Sequence, residues 1–125
     1  MFFPIDDGTQ YQTKFGNQTG KDANGVSHNF SFTVEMHTMF TYEGGEHFKF
    51  RGDDDVFVFI NNKRVINLGG IHGSDFADVD IDTLGLTKGN DYTLDFFYAE
   101  RNMVASDMLI TTGLELSNNG SIPIL

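Results

Sequence analysis

One stretch restricts this chain more than any other: the run from Phe50 to Lys63. Three consecutive carboxylates, Asp53, Asp54 and Asp55, lead straight into five apolar residues, Val56 to Ile60, and the run stops at Asn61-Asn62. The apolar segment is too short to cross a membrane or to persist as a lone helix. Its β-branched and aromatic content marks a buried strand. Adjacent carboxylates repel, so three in a row are costly unless water or a cation offsets them. A strand leaving an acidic loop holds carboxylates at the rim of a sheet, one way to build a site for a hard cation. Without a metal, the same residues would be a solvated loop that ends a strand.

The remaining chain supplies more strands and no helical periodicity. Phe30, Phe32, Val34 and Met36 alternate with Asn29, Ser31, Thr33 and Glu35, a period of two that predicts a strand over 28–42 with a bend near His37-Thr38. Gly44-Gly45 predicts a turn, and Asn61-Asn62 a type I′ hairpin, since Asn tolerates positive φ. Arg64 to Leu68 returns as a strand. Ala77, Val79 and Ile81 alternate with Asp78, Asp80 and Asp82, and Tyr92, Leu94, Phe96 and Tyr98 alternate again before a last strand over 108–116. Short strands separated by turn signals predict a single all-β domain over 1–125, an antiparallel β-sandwich or barrel. Residues 1–27 read as a loop-rich N-terminal part and 117–125 as a tail. The expected core is Phe30, Phe32, Val34, Phe57, Phe59, Val65, Val79, Ile81, Leu94, Phe96 and Ile110. Val58 and Ile60 point the other way, and are also buried if β structure or loop covers both faces.

Composition removes several function classes. Thirteen Phe and four Tyr without Trp provide the core rings, while eighteen acidic residues against eight basic give a net charge of −10. Nucleic-acid binders need a basic footprint, and anionic lipid repels such a surface. The absence of Cys excludes disulfides and thiolate metal sites. No segment resembles a signal peptide or a membrane span. Met1 before Phe2-Phe3-Pro4 reads as a start residue placed ahead of an excised domain, with any sorting signal upstream. There is no nucleophile elbow, P-loop or dinucleotide fingerprint, and sequence-adjacent Asp side chains rarely straddle a glycosidic bond at the separation hydrolysis needs. A non-catalytic role follows as the expectation.

From His28 to Leu116 the chain resembles a fibro-slime domain, a branch of the PA14 superfamily. The resemblance is carried by Asn29 to Thr33 with Glu35 and His37, by Phe40 to Glu46, and by the block from Phe50 through Leu68-Gly69-Gly70-Ile71-His72-Gly73. It continues with Asp82 to Leu86 and with Phe96 to Arg101 and Ser106. It implies a β-sandwich or barrel of the kind found in adhesins, toxins and glycosidases, many acting as carbohydrate-binding modules. In the lectin branch two adjacent Asp joined by a cis peptide hold calcium, and sugar hydroxyls complete its shell. The family pattern puts that pair on Asp53-Asp54. Asp55 stands where many members carry Gly, which leaves Asp54-Asp55 open. A second calcium-binding loop would be 101–107, where Asn102 and Asp107 carry the candidate metal oxygens and either can be the one that faces the ion. Arg101 and Asn102 of this loop, with His72 from outside it, are the candidate ligand contacts beside the Asp pair. The resemblance thus implies a calcium-dependent glycan-binding module of a secreted or cell-surface bacterial protein. The alternative is a structural or protein-binding domain, paired with a second copy or another partner, in which calcium is structural or absent. Tyr42, Tyr98 or a loop Phe would stack on the sugar.

Other signals have plainer readings. Arg51-Gly52-Asp53 runs into a strand, so Gly52 is read as easing a tight turn and not as part of an integrin motif. Asp78 to Asp82 begins like an EF-hand loop but has Thr83 and Gly89 where that loop needs Gly and Glu. His28, His37 and His47 are expected to make structural hydrogen bonds, whereas His72, in a Gly-flanked loop, can line a binding surface. Glu100 and Arg101 are read as ordering the second loop by ion pairing.

Overall fold

A computed structural model describes residues 1–9, 19–101 and 105–117. Among these the strands are β1 (Thr19–Lys21), β2 (Ser27–Asn29), β3 (Phe32–Thr41), β4 (His47–Asp53), β5 (Asp55–Ile60), β6 (Lys63–Leu68), β7 (Asp75–Asp80), β8 (Asp91–Glu100), β9 (Asp107–Thr112) and β10 (Leu116–Ser117). The single helical element among them is a 3-10 turn over Ile81–Leu84. All pairings are antiparallel. A five-stranded sheet runs β10-β3-β8-β5-β6, a three-stranded sheet runs β7-β4-β9, and β1-β2 form a separate hairpin. The all-β class expected from the alternation is the observed one.

The long strand β3 pairs with β8 over ten residues, from Phe32 opposite Glu100 to Thr41 opposite Asp91. Its pairing is unbroken through His37-Thr38. The chain breaks earlier, at Phe30-Ser31, where the Asn29 side-chain carbonyl accepts the Ser31 N–H at 3.0 Å and ends β2. Asn61 and Asn62 both adopt positive φ, 50° and 60°, and make the β5–β6 hairpin as predicted. Ile81 is buried at the start of the 3-10 turn and is not a strand residue; Asp80 caps that turn through the Asp82 N–H.

The core lies between the two larger sheets. Phe32 and Phe40 from β3, Leu94, Phe96 and Tyr98 from β8, and Val56, Val58 and Ile60 from β5 meet Phe48 and Phe50 from β4. The Phe50 and Phe96 rings, 6.0 Å apart, tie one sheet to the other. Phe30 is buried apart from this cluster, against Phe3. One expectation is inverted. Val56, Val58 and Ile60 form the buried face of β5, while Phe57 and Phe59 are half-buried on its outer face, where Phe59 meets Phe97 edge-on at 5.8 Å. Val34, Val65, Val79 and Ile110 are half-buried and pack against the core without being enclosed by it.

Candidate functional site

The acidic run is where the chain changes sheets. β4 is the middle strand of the three-stranded sheet and ends at Asp53; β5 belongs to the five-stranded sheet and begins at Asp55. Asp54 is therefore the corner between the two layers. Its peptide bond with Asp53 is cis. Gly52 precedes the corner because the neighbouring strand β9 lies close there: a Cβ at this position would collide with the Asp107 carbonyl oxygen. This close approach, and not a free turn, is what requires glycine.

Three segments converge on the corner through their main-chain amides. The Asp107 N–H donates to Asp53 Oδ1 at 2.7 Å. Asp54 accepts the Arg101 N–H at Oδ2, 2.8 Å, and the His72 N–H at Oδ1, 3.3 Å. Asp55 accepts the Gly70 N–H and both forks of the Arg101 guanidinium, with Nη2 at 2.9 Å. The Tyr98 hydroxyl lies beneath, donating to the Asp53 carbonyl. Ser106 links this end to the N-terminal residues, since its carbonyl accepts the Phe2 N–H at 3.0 Å.

The three carboxylates differ in their compensation. Arg101 beside Asp55 holds that carboxyl below the usual range. Asp53 is 4% exposed and Asp54 0%, and among the described residues neither forms an ion pair with a cationic side chain. Burial pushes the Asp53 carboxyl up, and although the Asp107 N–H opposes this, the charges of Asp54 and Asp107 add to it. Buried carboxylates without a counter-charge are costly. Their oxygens suit a hard cation such as calcium, which takes carboxylates, carbonyls and water together. Among the described residues no group of three or more His, Asp or Glu side chains could hold a metal by itself. Further oxygens would have to come from main chain, water or residues 102–104, and Asn102 lies outside the described residues.

The other sequence-predicted positions are distributed around this corner. Asp107 reaches it by main chain, while its carboxylate faces Arg51, 3.5 Å away. Arg101 pairs with Asp55, and Glu100 is buried with its carboxylate 3.2 Å from the Tyr98 hydroxyl. His72 sits in the 69–73 loop with its ring nitrogens facing the Gly73 and Leu68 carbonyls, at 2.6 and 3.2 Å. Burial opposes charge on this ring, but the two carbonyls together with the Asp75 and Asp54 carboxylates raise its pKa. The ring thus braces the loop that carries an amide to Asp54. The other histidines face carboxylates: His28 those of Asp6 and Asp22, His37 that of Asp95, and His47 that of Asp78. Asp78, Asp80 and Asp82 have separate structural partners and do not converge. Neither tyrosine expected to stack on sugar is available. Tyr42 is 5% exposed and donates to Asp82, and Tyr98 is 2% exposed. Within Arg51-Gly52-Asp53 the aspartate is buried, so the tripeptide is not displayed.

An all-β sandwich with an acidic corner between its sheets and no α-helix among its described residues is the class the structure defines. The chain belongs to the PA14 domain family, which matches residues 9–124. Among curated relatives it is 49% identical over 116 residues to Protein psiH, 48% over 113 to Protein psiE and 58% over 87 to Protein psiB, all from Dictyostelium discoideum. Those alignments cover 92%, 90% and 70% of this chain but 16%, 22% and 16% of the relatives, so it spans under a quarter of their length. The relatives lend no support to the bacterial parent expected from the resemblance. No solved structure matches. PA14 domains are generally non-catalytic binding or adhesion modules that occur in extracellular or surface proteins. No helix among the described residues is long and apolar enough to cross a membrane.

Proposed function

We propose that this domain is a non-catalytic, calcium-dependent carbohydrate-binding module of a secreted or cell-surface protein, with Asp53 and Asp54 as the acidic pair. The observation that carries this reading is the burial of those two carboxylates at the sheet crossing, with neither in an ion pair among the described residues. Asp55 is a poorer candidate because Arg101 already neutralises it. The amides of Asp107, Arg101 and His72 fix the orientation of the pair before any ligand arrives. Bound there, calcium would supply a Lewis-acidic point at which paired sugar hydroxyls replace water. The 69–73 and 101–107 segments, both tied to the pair by main chain, would decide which sugar fits without a clash. A glycan array probed in calcium and again in chelator tests the reading. Spots retained only with calcium support it, and calcium-independent spots or none contradict it.

The same burial favours one second reading, in which the ion fastens three segments together for rigidity and the partner is a protein. Calcium would then raise thermal stability while the array stays blank.

A further inference from the structure

We propose that Phe76, flanked by Arg51 and Leu109, is the stacking residue of the glycan site and takes the apolar face of a neutral sugar ring. This rests on the carbohydrate-binding reading and adds to it the residue and surface that a ligand would touch.

The inference follows from where the aromatic rings lie. Phe76, 57% exposed, is the one exposed Phe or Tyr among the described residues. It stands near the start of β7, directly opposite Arg51 on β4, while Leu109 on β9 is opposite Arg51 from the other side. The three make a row across the outer face of the three-stranded sheet, with Leu109 50% exposed. The next residue pair along β4 and β7 is Gly52 with Asp75, so the row ends two residues short of Asp53. Strand rise and spacing put the Phe76 and Asp53 backbones about 8 Å apart.

The surroundings suit one occupant. A groove of about 180 Å³ lies along the row, lined by Lys49, Phe50, Arg51, Phe76, Leu109 and Thr111. That is below the range of pockets that enclose drug-sized ligands, and is the scale of one ring lying on a flat sheet. Apolar surface comes from Phe76 and Leu109. Donors come from the Arg51 guanidinium, which carries five N–H groups and whose ion pair with Asp107 is long, 3.5 Å. Aromatic face, aliphatic wall and a planar donor together suit a ring with C–H groups on one face and hydroxyls at its edge. The net charge of −10 and the adjacent acidic corner disfavour an anionic sugar. Ile71, also exposed, lies between Gly70 and His72, whose amides hold Asp55 and Asp54. Apolar surface therefore lies beside the corner as well as below it.

The test uses a glycan retained by the wild-type domain in calcium, measured by titration calorimetry with Phe76→Ala and Phe76→Tyr, and thermal melts of each variant with calcium and with chelator. Phe76→Ala is expected to weaken glycan binding about tenfold and Phe76→Tyr by less than about twofold. Both variants should keep the wild-type calcium-induced rise in melting temperature. Undiminished binding by Phe76→Ala would overturn the assignment, as would equal losses in the two variants, or loss of the calcium response in Phe76→Ala. A wild-type domain that binds no glycan in calcium overturns the carbohydrate reading itself, and this assignment with it.

Discussion

Replacing Asp54 by Asn separates the cost of the acidic corner from its use. Asn has nearly the shape of Asp but no charge, so it removes the repulsion with Asp53. At an effective dielectric of 20 and a separation of roughly 6 Å, that repulsion is about 3 kcal/mol. The substitution also carries a penalty. Asp54 accepts one N–H at each oxygen, from Arg101 and from His72, and an amide can accept at only one of its two ends. Leaving a buried N–H unpaired costs about 1–3 kcal/mol. The two effects nearly cancel, so Asp54→Asn in chelator should melt close to the wild type. The calcium response should differ sharply. A ligand that binds only the folded state at a hundredfold excess over Kd adds about 2.7 kcal/mol. For a domain of this size that is a rise of roughly 10 °C, and Asp54→Asn should lose most of it. Scanning calorimetry of both proteins, with calcium and with chelator, makes the comparison. A wild type indifferent to calcium, or an Asp54→Asn domain with the full wild-type rise, would refute the reasoning.

Two further predictions concern the scaffold. Ile60→Ala empties a buried site on the inner face of β5 and should cost about 2–5 kcal/mol, whereas Phe59→Ala on the half-buried outer face should cost less; urea denaturation ranks them, and the reverse order would restore the face assignment read from the sequence. The hydrogen bond to Asp82, burial and the nearby acidic groups push the Tyr42 hydroxyl up to about 12. The folded state thus favours the neutral phenol. Its contribution is complete below the ordinary tyrosine pKa of about 10 and is lost as pH rises through about 12. Tyr42→Phe should therefore flatten the fall in stability across that alkaline window, and unchanged pH dependence would show that Tyr42 does not contribute to it.

Much of the fold was legible because alternation is a direct consequence of strand geometry. The strands around Phe32, Leu94 and Phe96 and the Asn61-Asn62 hairpin could be read from local pattern alone. The face of β5 could not. A period of two divides Phe57 and Phe59 from Val58 and Ile60, yet it does not say which set points inward when both are apolar. The larger rings look like core residues, but they meet Phe97 on the outer face and leave the interior to Val56, Val58 and Ile60. The acidic corner was visible as three adjacent carboxylates. What organises it was hidden, because Asp107, Arg101, His72 and Gly70 act there through main-chain amides, which every residue other than proline carries. Side-chain chemistry therefore marked Asp107 and His72 as ligand candidates without showing that their backbones position the pair. From the sequence Tyr42 and Tyr98 are candidate sugar platforms alongside a loop Phe, because a strand pattern does not reveal that their hydroxyls are held inside, by Asp82 and by the Asp53 carbonyl.

The central claim is that glycan binding passes through the Asp53-Asp54 pair, and titration calorimetry with a glycan selected on the array tests it most directly. A shallow single site should bind in calcium with a Kd of about 0.1–1 mM, or about −4 to −5.5 kcal/mol. The account predicts that this heat disappears in EDTA, and again in Asp53→Ala, while circular dichroism still shows the folded β domain. A glycan that keeps its affinity in EDTA, or after Asp53→Ala, would contradict the account and place the binding site on another face of the sandwich.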